Sequence, residues 1–213
     1  MAGAGAVGFW SVIGLVIVQV VFRFNLPAEL PTERFFPEGQ GVVLDAGAGS
    51  GRSTLMVLQA RPESRVLALD RYEGYYGIVD NQPARLLRNA EIIGVDDRVD
   101  VRVGDVRDMP LDDGSVDAAV IDHLGRDGVA RSLAEIARVL KPGGQFLLVV
   151  VNPDVWTRLT YPFFAHHGYW GERTSHDRWR SAVTDVGFDL VEVGTVPTSL
   201  YLLVEKPLAV ASR

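Results

Sequence analysis

The chain has 213 residues, of which 47% are hydrophobic and 23% are charged. This composition is typical of one folded domain and excludes an intrinsically disordered chain. The formal net charge of -6 at pH 7 offers no broad basic surface to a phosphate backbone, so no nucleic-acid partner is expected. The chain contains no cysteine, which excludes disulfides, thiolate metal sites and thiol nucleophiles, and no metal site is predicted.

The chain begins with an apolar segment, residues 1–24. No charged side chain occurs before Arg23, and the run of residues 7–22 is interrupted only by Ser11 and Gln19. At about 1.5 Å per residue, a helix of this length roughly matches the core of a bilayer. Apolar residues lie on all of its faces, which argues against an amphipathic surface helix. We interpret residues 1–24 as a membrane anchor, with a helix packed on the domain or on a partner as the alternative.

The residues that follow indicate an orientation and a connector. The first positive charges, Arg23 and Arg34, weakly favour a cytoplasmic domain by the positive-inside rule. Without an anchor, the protein is expected to be cytoplasmic. Residues 25–40 contain three prolines and Gly39, which predict a connector. Nothing in the sequence indicates the oligomeric state.

From residue 41 onward, short β-branched runs alternate with longer stretches of helical spacing. The predicted strands are 42–45, 66–70, 99–103, 116–122, 145–151, 189–193 and 200–205. The predicted helices are 52–60, 82–93, 127–140 and 177–186. This alternation predicts an α/β fold with a doubly wound, mostly parallel seven-stranded sheet over residues 41–206, followed by a tail at 207–213.

The first predicted strand runs into a glycine-rich turn. Asp45 is followed by Gly47, Gly49 and Gly51 in the spacing G-x-G-x-G, and a helix is predicted from Arg52. Glycines at such a turn let the backbone approach a ligand and bring the amides of a helix N-terminus to it. The dinucleotide-binding fingerprint needs its third glycine one position later, where this chain has arginine.

Four aspartates lie at or just past the ends of predicted strands: Asp45, Asp70, Asp105 and Asp122. In open α/β sheets, ligands bind at the edge formed by the carboxyl ends of the strands. Carboxylates at this edge repel a pyrophosphate but suit a ligand that carries a sulfonium, an ammonium and ribose hydroxyls. The set favours S-adenosylmethionine over NAD, although each aspartate taken singly also fits a helix cap or a turn.

Four sequence segments follow one another in an order and at spacings that are specific as a set. They are VVLDAGAGSGRSTL (42–55), LALD (67–70), GDVRDMPLDDGSVDAAVID (104–122) and RVLKPGGQFLLVV (138–150). In these segments the chain resembles the class I S-adenosylmethionine-dependent methyltransferases, especially their small-molecule and lipid-modifying branch. The resemblance covers roughly residues 41–205.

The resemblance implies a Rossmann-like methyltransferase fold with an antiparallel last strand, and S-adenosylmethionine as the cofactor. It implies that the glycine turn lines the methionine part, that the acid after the second strand accepts both ribose hydroxyls, and that the acid after the third strand contacts the adenine. The cofactor-binding residues that it implies are Asp45, Gly47, Ala48, Gly49, Gly51, Asp70, Arg71, Asp105, Val106 and Asp122.

Methyl transfer from a sulfonium is an in-line displacement, so the protein mainly positions the acceptor and excludes water. An oxygen or acidic carbon acceptor also needs a base. The favoured candidates are His123 and Asp122, because they follow the fourth strand at the ligand-binding edge. Further candidates are His166, His167 and His176. A histidine near a strand end is also often a hydrogen-bonded structural group.

Residues 152–176 are rich in aromatic side chains and are predicted to form a lid over the acceptor site, with a helix packed on the sheet as the alternative. Tyr72, Tyr75 and Tyr76 could wall the cofactor or acceptor pocket, or could be ordinary interior or rim tyrosines. Together with an anchor, the lid predicts a small-molecule or lipid-like acceptor at a membrane surface.

Two other classes of function compete with this interpretation. A non-catalytic S-adenosylmethionine-binding protein or membrane scaffold has the same cofactor motifs, and only turnover separates it from an enzyme. A NAD-dependent oxidoreductase is less favoured. A short-chain reductase would need a lysine four residues after a tyrosine, and neither of the two lysines of the chain, Lys141 and Lys206, has this position.

Overall fold

The structure is a computed structural model that describes residues 28–73, 81–122, 124, 128–152, 176–196 and 199–208. Its strands are β1 (Gly41–Ala46), β2 (Ser64–Asp70), β3 (Val99–Val103), β4 (Val116–Asp122), β5 (Leu140–Val151), β6 (Asp189–Val196) and β7 (Ser199–Glu205). Its α-helices are α1 (Arg52–Ala60), α2 (Pro83–Ile93), α3 (Val129–Val139) and α4 (His176–Asp185). The predicted alternation of strands and helices is therefore present throughout the described part of the chain.

The strands form one seven-stranded sheet in the order β3-β2-β1-β4-β5-β7-β6. The pairs from β3 to β5 are parallel, whereas β7 is antiparallel to both β5 and β6. The sheet is mixed, which corrects the prediction of a mostly parallel sheet. Only two residues separate β6 from β7, too few for the crossover that parallel strands need, so β7 must run back beside β6. The antiparallel last strand implied by the resemblance is confirmed.

Helices cover both faces of the sheet. Leu44 of β1 packs in one buried cluster with Leu133 of α3 and Trp179 of α4. The next residue back, Val43, packs in a second cluster with Val57 of α1. Because neighbouring side chains of a strand point to opposite faces, these clusters are the two layers of a doubly wound fold.

The largest difference in an element boundary is at β5, which begins at Leu140 rather than at residue 145. Leu140 pairs with Val116 of β4. The Gly143 N–H donates to the Lys206 carbonyl (2.8 Å), and the Lys206 N–H donates to the Gly144 carbonyl (2.9 Å). The turn-forming Pro-Gly-Gly sequence is therefore held in the sheet by partners that are distant in the chain.

The described part of the predicted connector, residues 28–40, contains turns but neither a helix nor a strand, and we call it the N-terminal strap. It is nevertheless packed onto the domain, because Phe35 is fully buried. The Phe36 N–H donates to Oε1 of Gln145 at 2.7 Å, which ties the strap to β5.

The buried side chain of Arg61 holds the strap on the domain. Arg61, only 9% exposed, donates from Nε to the carbonyls of Phe35 (3.0 Å) and Phe36 (2.8 Å). Its Nη2 donates to the carbonyls of Glu33 (2.8 Å) and Phe35 (2.8 Å). One guanidinium thus satisfies backbone acceptors that have no strand or helix partner.

A second set of contacts ties the strap to β6 and β7 through Glu192. The Thr32 hydroxyl donates to one of its carboxylate oxygens (3.0 Å), and the Tyr201 hydroxyl donates to the other (2.7 Å). Arg34 lies 3.8 Å from the same carboxylate. The hydrogen bond from Tyr201 is the main cause that lowers the pKa of Glu192, so this carboxylate stays ionised and keeps both donors.

Within the described residues, no helix combines the length and apolar character that crossing a membrane requires. The helix predicted over residues 1–24 lies outside the described residues, as does most of the tail predicted at 207–213.

We expect Arg61→Met to lower the free energy of unfolding by about 3 kcal/mol, because the buried Phe35 carbonyl and the partly buried Glu33 and Phe36 carbonyls lose the guanidinium while the aliphatic stem stays. Urea denaturation at pH 7 measures this change. Arg65→Met is the matched control, since Arg65 occupies an exposed position of the neighbouring strand β2, and a change within about 0.5 kcal/mol is expected. Equal losses for the two variants would contradict the role given to Arg61.

Candidate functional site

Three carboxylates come together at the carboxyl edge of the parallel strands. Asp70 is the last residue of β2, Asp122 is the last residue of β4, and Asp45 is the second-last residue of β1. The negative charges of Asp122 and Asp70 both act on Asp45 and raise its pKa. The convergence predicted from the strand ends is therefore present for these three aspartates.

Asp45 lies beneath the glycine turn and is fully buried. The Ser53 hydroxyl lies 2.8 Å from each of its oxygens, and the Thr54 hydroxyl donates to Oδ2 at 2.5 Å. Burial raises the pKa of Asp45 to about 6, although the hydroxyls of Thr54 and Ser53 oppose the shift. Since no part of this carboxylate is open to solvent, it holds the start of α1 here. Its predicted contact with the methionine part stays a prediction.

The amides of the glycine turn are already paired within the protein. The N–H groups of Gly47 and Ala48 donate to the Leu69 carbonyl at 2.7 and 3.2 Å. The Gly49 N–H donates to Oδ2 of Asp70 at 3.0 Å. A phosphate-binding turn needs such amides free to face the anion. The turn therefore suits a ligand bound by close backbone approach better than a pyrophosphate.

The glycines of the turn have different reasons to be glycine. Gly47 has a φ of +85°, it is exposed, and the space that a Cβ would take is open. Its side of the turn can therefore accept a ligand. A Cβ on Gly51 would lie 2.8 Å from Cγ of Leu86, so Gly51 allows α1 and α2 to pack. This packing explains Gly51 without the cofactor contact that the resemblance implies.

Asp70 joins two loops at the end of β2. Its Oδ1 accepts the Tyr72 N–H at 2.6 Å, and its Oδ2 accepts the Gly49 N–H at 3.0 Å. Each carboxylate oxygen can accept a further hydrogen bond. Asp70 is therefore both a structural link and an acceptor that two vicinal hydroxyls can use.

The acid after β3 is held by arginines. Arg107 donates from Nη2 to Oδ2 of Asp105 at 2.6 Å, and its own N–H donates to Oδ1 at 2.9 Å. The Arg71 guanidinium lies 3.7 Å from the same carboxylate. The hydrogen bonds from Arg107 are the main cause that lowers the pKa of Asp105 to about 2. The predicted contacts of Asp105 and of the half-buried Val106 with an adenine stay predictions.

Several predicted site residues lie outside the described residues: His123, His166, His167, Tyr75, Tyr76 and the interior of the lid, 153–175. The two ends of the predicted lid are described. Nε2 of His176, at the start of α4, lies 3.3 Å from Oδ1 of Asn152, which follows β5. The two described ends of the predicted lid therefore lie together beside the carboxyl edge.

Residues 43–144 match the family model of a methyltransferase domain. This stretch runs from β1 into β5 and contains the glycine turn and all four aspartates of the edge. Over these residues, the predicted resemblance to the class I S-adenosylmethionine-dependent methyltransferases is confirmed.

Individual relatives agree with this assignment. The chain is 28% identical over 131 residues to demethylmenaquinone methyltransferase of Symbiobacterium thermophilum, which covers 60% of this chain and 48% of the relative. It is 29% identical over 162 residues to malonyl-[acyl-carrier protein] O-methyltransferase of Nitrosospira multiformis, covering 72% of this chain and 51% of the relative. The chain thus spans about half the length of these relatives.

A solved structure shares the fold of this methyltransferase domain. It is the geranyl diphosphate C-methyltransferase of Streptomyces coelicolor A3(2), which contains Mg²⁺, geranyl diphosphate and S-adenosyl-L-homocysteine. The match has a TM-score of 0.59 at 19% sequence identity, and it covers 80% of this chain and 73% of the other.

The groups at the carboxyl edge of the methyltransferase domain fit an adenosyl cofactor. Asp70 offers two anionic acceptors to a pair of hydroxyls, and the open side of Gly47 allows a ligand to lie against the backbone. The Tyr72 hydroxyl is buried and has no hydrogen-bond partner among the described residues. Sequence reasoning missed the roles of Ser53 and Thr54, because a hydroxyl in the first turn of a helix carries no signal of the buried acid that it contacts.

We expect the stability of this domain to depend on pH through Asp45. Its pKa is about 6 in the folded state against a usual 3.8, so the folded state binds more protons between these values. Stability then falls as pH rises from about 4 to about 6, by about 3 kcal/mol from this residue, and levels off above that window.

Asp45→Asn should remove this contribution, so the free energy of unfolding of the wild type should drop by about 3 kcal/mol relative to the variant between pH 4 and pH 7. Urea denaturation across this range measures the difference. Asp105→Asn is the contrasting control, because the pKa of Asp105 is lowered and its stabilisation is present above pH 4 and lost towards pH 2. A wild-type to Asp45→Asn difference that does not vary with pH would contradict the role of burial.

Proposed function

We propose that the protein transfers the methyl group of S-adenosylmethionine to a small-molecule or lipid-like acceptor. The observation that carries the proposal is the position of Asp70, which ends β2, is held by the amides of Gly49 and Tyr72, and keeps lone pairs for two ribose hydroxyls. The family of the domain and the ligands of its structural relative support the same cofactor.

When bound, this cofactor supplies an activated methyl group on a positively charged sulfur. The chain contributes position and charge. Asp70 fixes the ribose end, and the open side of Gly47 receives the part of the ligand next to the turn. The carboxylates of Asp45, Asp70 and Asp122 favour a cation over an anion in this place. Such an arrangement orients the sulfonium for in-line displacement by an acceptor.

The acceptor is proposed from chemistry and from relatives. By their names, the relatives act on demethylmenaquinone, on malonyl-acyl carrier protein and on geranyl diphosphate. The named relatives therefore act on organic acceptors, and two of these, demethylmenaquinone and geranyl diphosphate, are lipid-like. Asp122 and His123 are proposed to take the proton of an oxygen or carbon acceptor, and residues 153–175 to cover the site.

We also propose that residues 1–24 attach the protein to a membrane with the domain on the cytoplasmic side. The support is the uncharged apolar run before Arg23. The strap then matters, because its packing through Phe35 holds to the domain the part of the chain that follows the apolar segment. A lipid-like acceptor at the bilayer surface suits this placement.

Calorimetric titration tests the cofactor. The chain should bind S-adenosylmethionine and S-adenosylhomocysteine and should not bind NADH. Asp70→Ala should weaken binding more than tenfold, because the ribose hydroxyls lose a charged acceptor. Asp100→Ala is the matched control, since Asp100 is an exposed residue of β3 paired with Arg102, and it should leave affinity unchanged. A folded chain that binds neither adenosyl ligand would contradict the proposed function.

Turnover separates the enzyme from a non-catalytic binding protein. Transfer of a radiolabelled methyl group should be measured with quinones, isoprenoid diphosphates and acyl-carrier-linked acids as acceptors. Binding of the cofactor without transfer to any acceptor favours the non-catalytic alternative. Flotation with phosphatidylethanolamine–phosphatidylglycerol vesicles tests the anchor. Full activity after deletion of residues 1–24, with a water-soluble acceptor preferred, would refute a function at the membrane.

A further inference from the structure

Tyr72 has an unusual backbone for an aromatic residue. It follows β2 by two positions and has a φ of 54°. Among the described non-glycine residues, only Phe36 shares a positive φ. A side chain with a Cβ is strained in this region, so the conformation persists only where the surroundings impose it. The hydrogen bond from the Tyr72 N–H to Asp70, at 2.6 Å, is the local cause.

The side chain of Tyr72 adds a second cost. Its hydroxyl oxygen is buried and has no hydrogen-bond partner among the described residues. Burial raises its pKa, and the negative charges of Asp70 and then Asp45 raise it further. The hydroxyl therefore stays protonated, as a hydrogen-bond donor that lacks an acceptor.

The strained backbone and the hydroxyl without a partner occur in one residue, which lies beside Asp70, the proposed acceptor of the ribose hydroxyls. Strain and unsatisfied polar groups cluster at functional sites, where a ligand completes the arrangement. The charge of Asp70 acts more strongly on the hydroxyl than that of Asp45. The residue as a whole is half-buried, so part of it is open to solvent beside Asp70.

We propose that the Tyr72 hydroxyl donates a hydrogen bond to a ribose hydroxyl oxygen of the adenosyl cofactor, whose ribose hydroxyls donate to Asp70. A ribose hydroxyl can donate and accept at once, so an acid and a neutral O–H beside each other complement it. Tyr72 is then a cofactor-binding residue that selects the ribose. This inference rests on the proposed cofactor.

The test is calorimetric titration of the full chain and its Tyr72→Phe variant with S-adenosylhomocysteine. The variant keeps the ring and the backbone and loses only the oxygen. Affinity should fall about fivefold to tenfold, because the ribose oxygen loses its donor. The melting temperature without ligand should be unchanged or higher, since a buried hydroxyl without a partner is removed.

Tyr201→Phe is the matched control. Tyr201 is a buried tyrosine whose hydroxyl, unlike that of Tyr72, has an acceptor. It donates to Glu192, which contacts the strap. Its removal should lower the melting temperature and leave the affinity for S-adenosylhomocysteine unchanged. The two variants should therefore show opposite patterns of stability and binding.

The 2′-deoxy and 3′-deoxy analogues of S-adenosylhomocysteine supply the decisive comparison. With the analogue that lacks the accepting oxygen, wild type and Tyr72→Phe should bind equally. Equal affinities of the two proteins for S-adenosylhomocysteine itself would overturn the proposal, as would a loss that persists with both analogues. A fall in melting temperature like that of Tyr201→Phe would also overturn it by showing a structural role. Failure of the wild type to bind S-adenosylhomocysteine would instead contradict the proposed function.

Discussion

The carboxylate of Asp70 is the link on which the site depends. It accepts the Gly49 amide on one oxygen and the Tyr72 amide on the other. The first bond holds the glycine turn against the end of β2, and the second imposes the backbone of Tyr72. Because each carboxylate oxygen accepts one amide, the carboxylate is oriented before any ligand arrives. Preorganisation of this kind lowers the ordering cost of binding.

Charge at the carboxyl edge is divided between two kinds of acid. Asp105 is paired with Arg107 and Arg71, which stabilise its ionised form. Asp45 is buried with the hydroxyls of Ser53 and Thr54 as its donors among the described residues, and its pKa of about 6 reflects that burial. A cationic ligand close to Asp45 would favour its ionised form, so ligand binding and proton release are linked at this end of β1. Asp105 and Asp45 thus respond differently to pH.

The strap packs on the sheet away from the carboxyl edge. It contacts Glu192 of β6 and Gln145 of β5, and between these two contacts its backbone accepts hydrogen bonds from Arg61. These contacts replace the backbone pairing that a strand would have. A segment with two prolines can therefore pack on the domain without strand pairing, since three of its carbonyls accept from one guanidinium.

Sequence periodicity alone determined the strands, the helices and the placement of Asp70 and Asp122 at strand ends, because these depend on local patterns of apolar residues and turns. Tertiary structure decided the mixed character of the sheet at β7, the start of β5, the docking of Phe35 on Arg61, the hydroxyls around Asp45 and the isolation of the Tyr72 hydroxyl. Each of these depends on partners brought together from distant parts of the chain, and periodicity carries no information about which distant groups will meet.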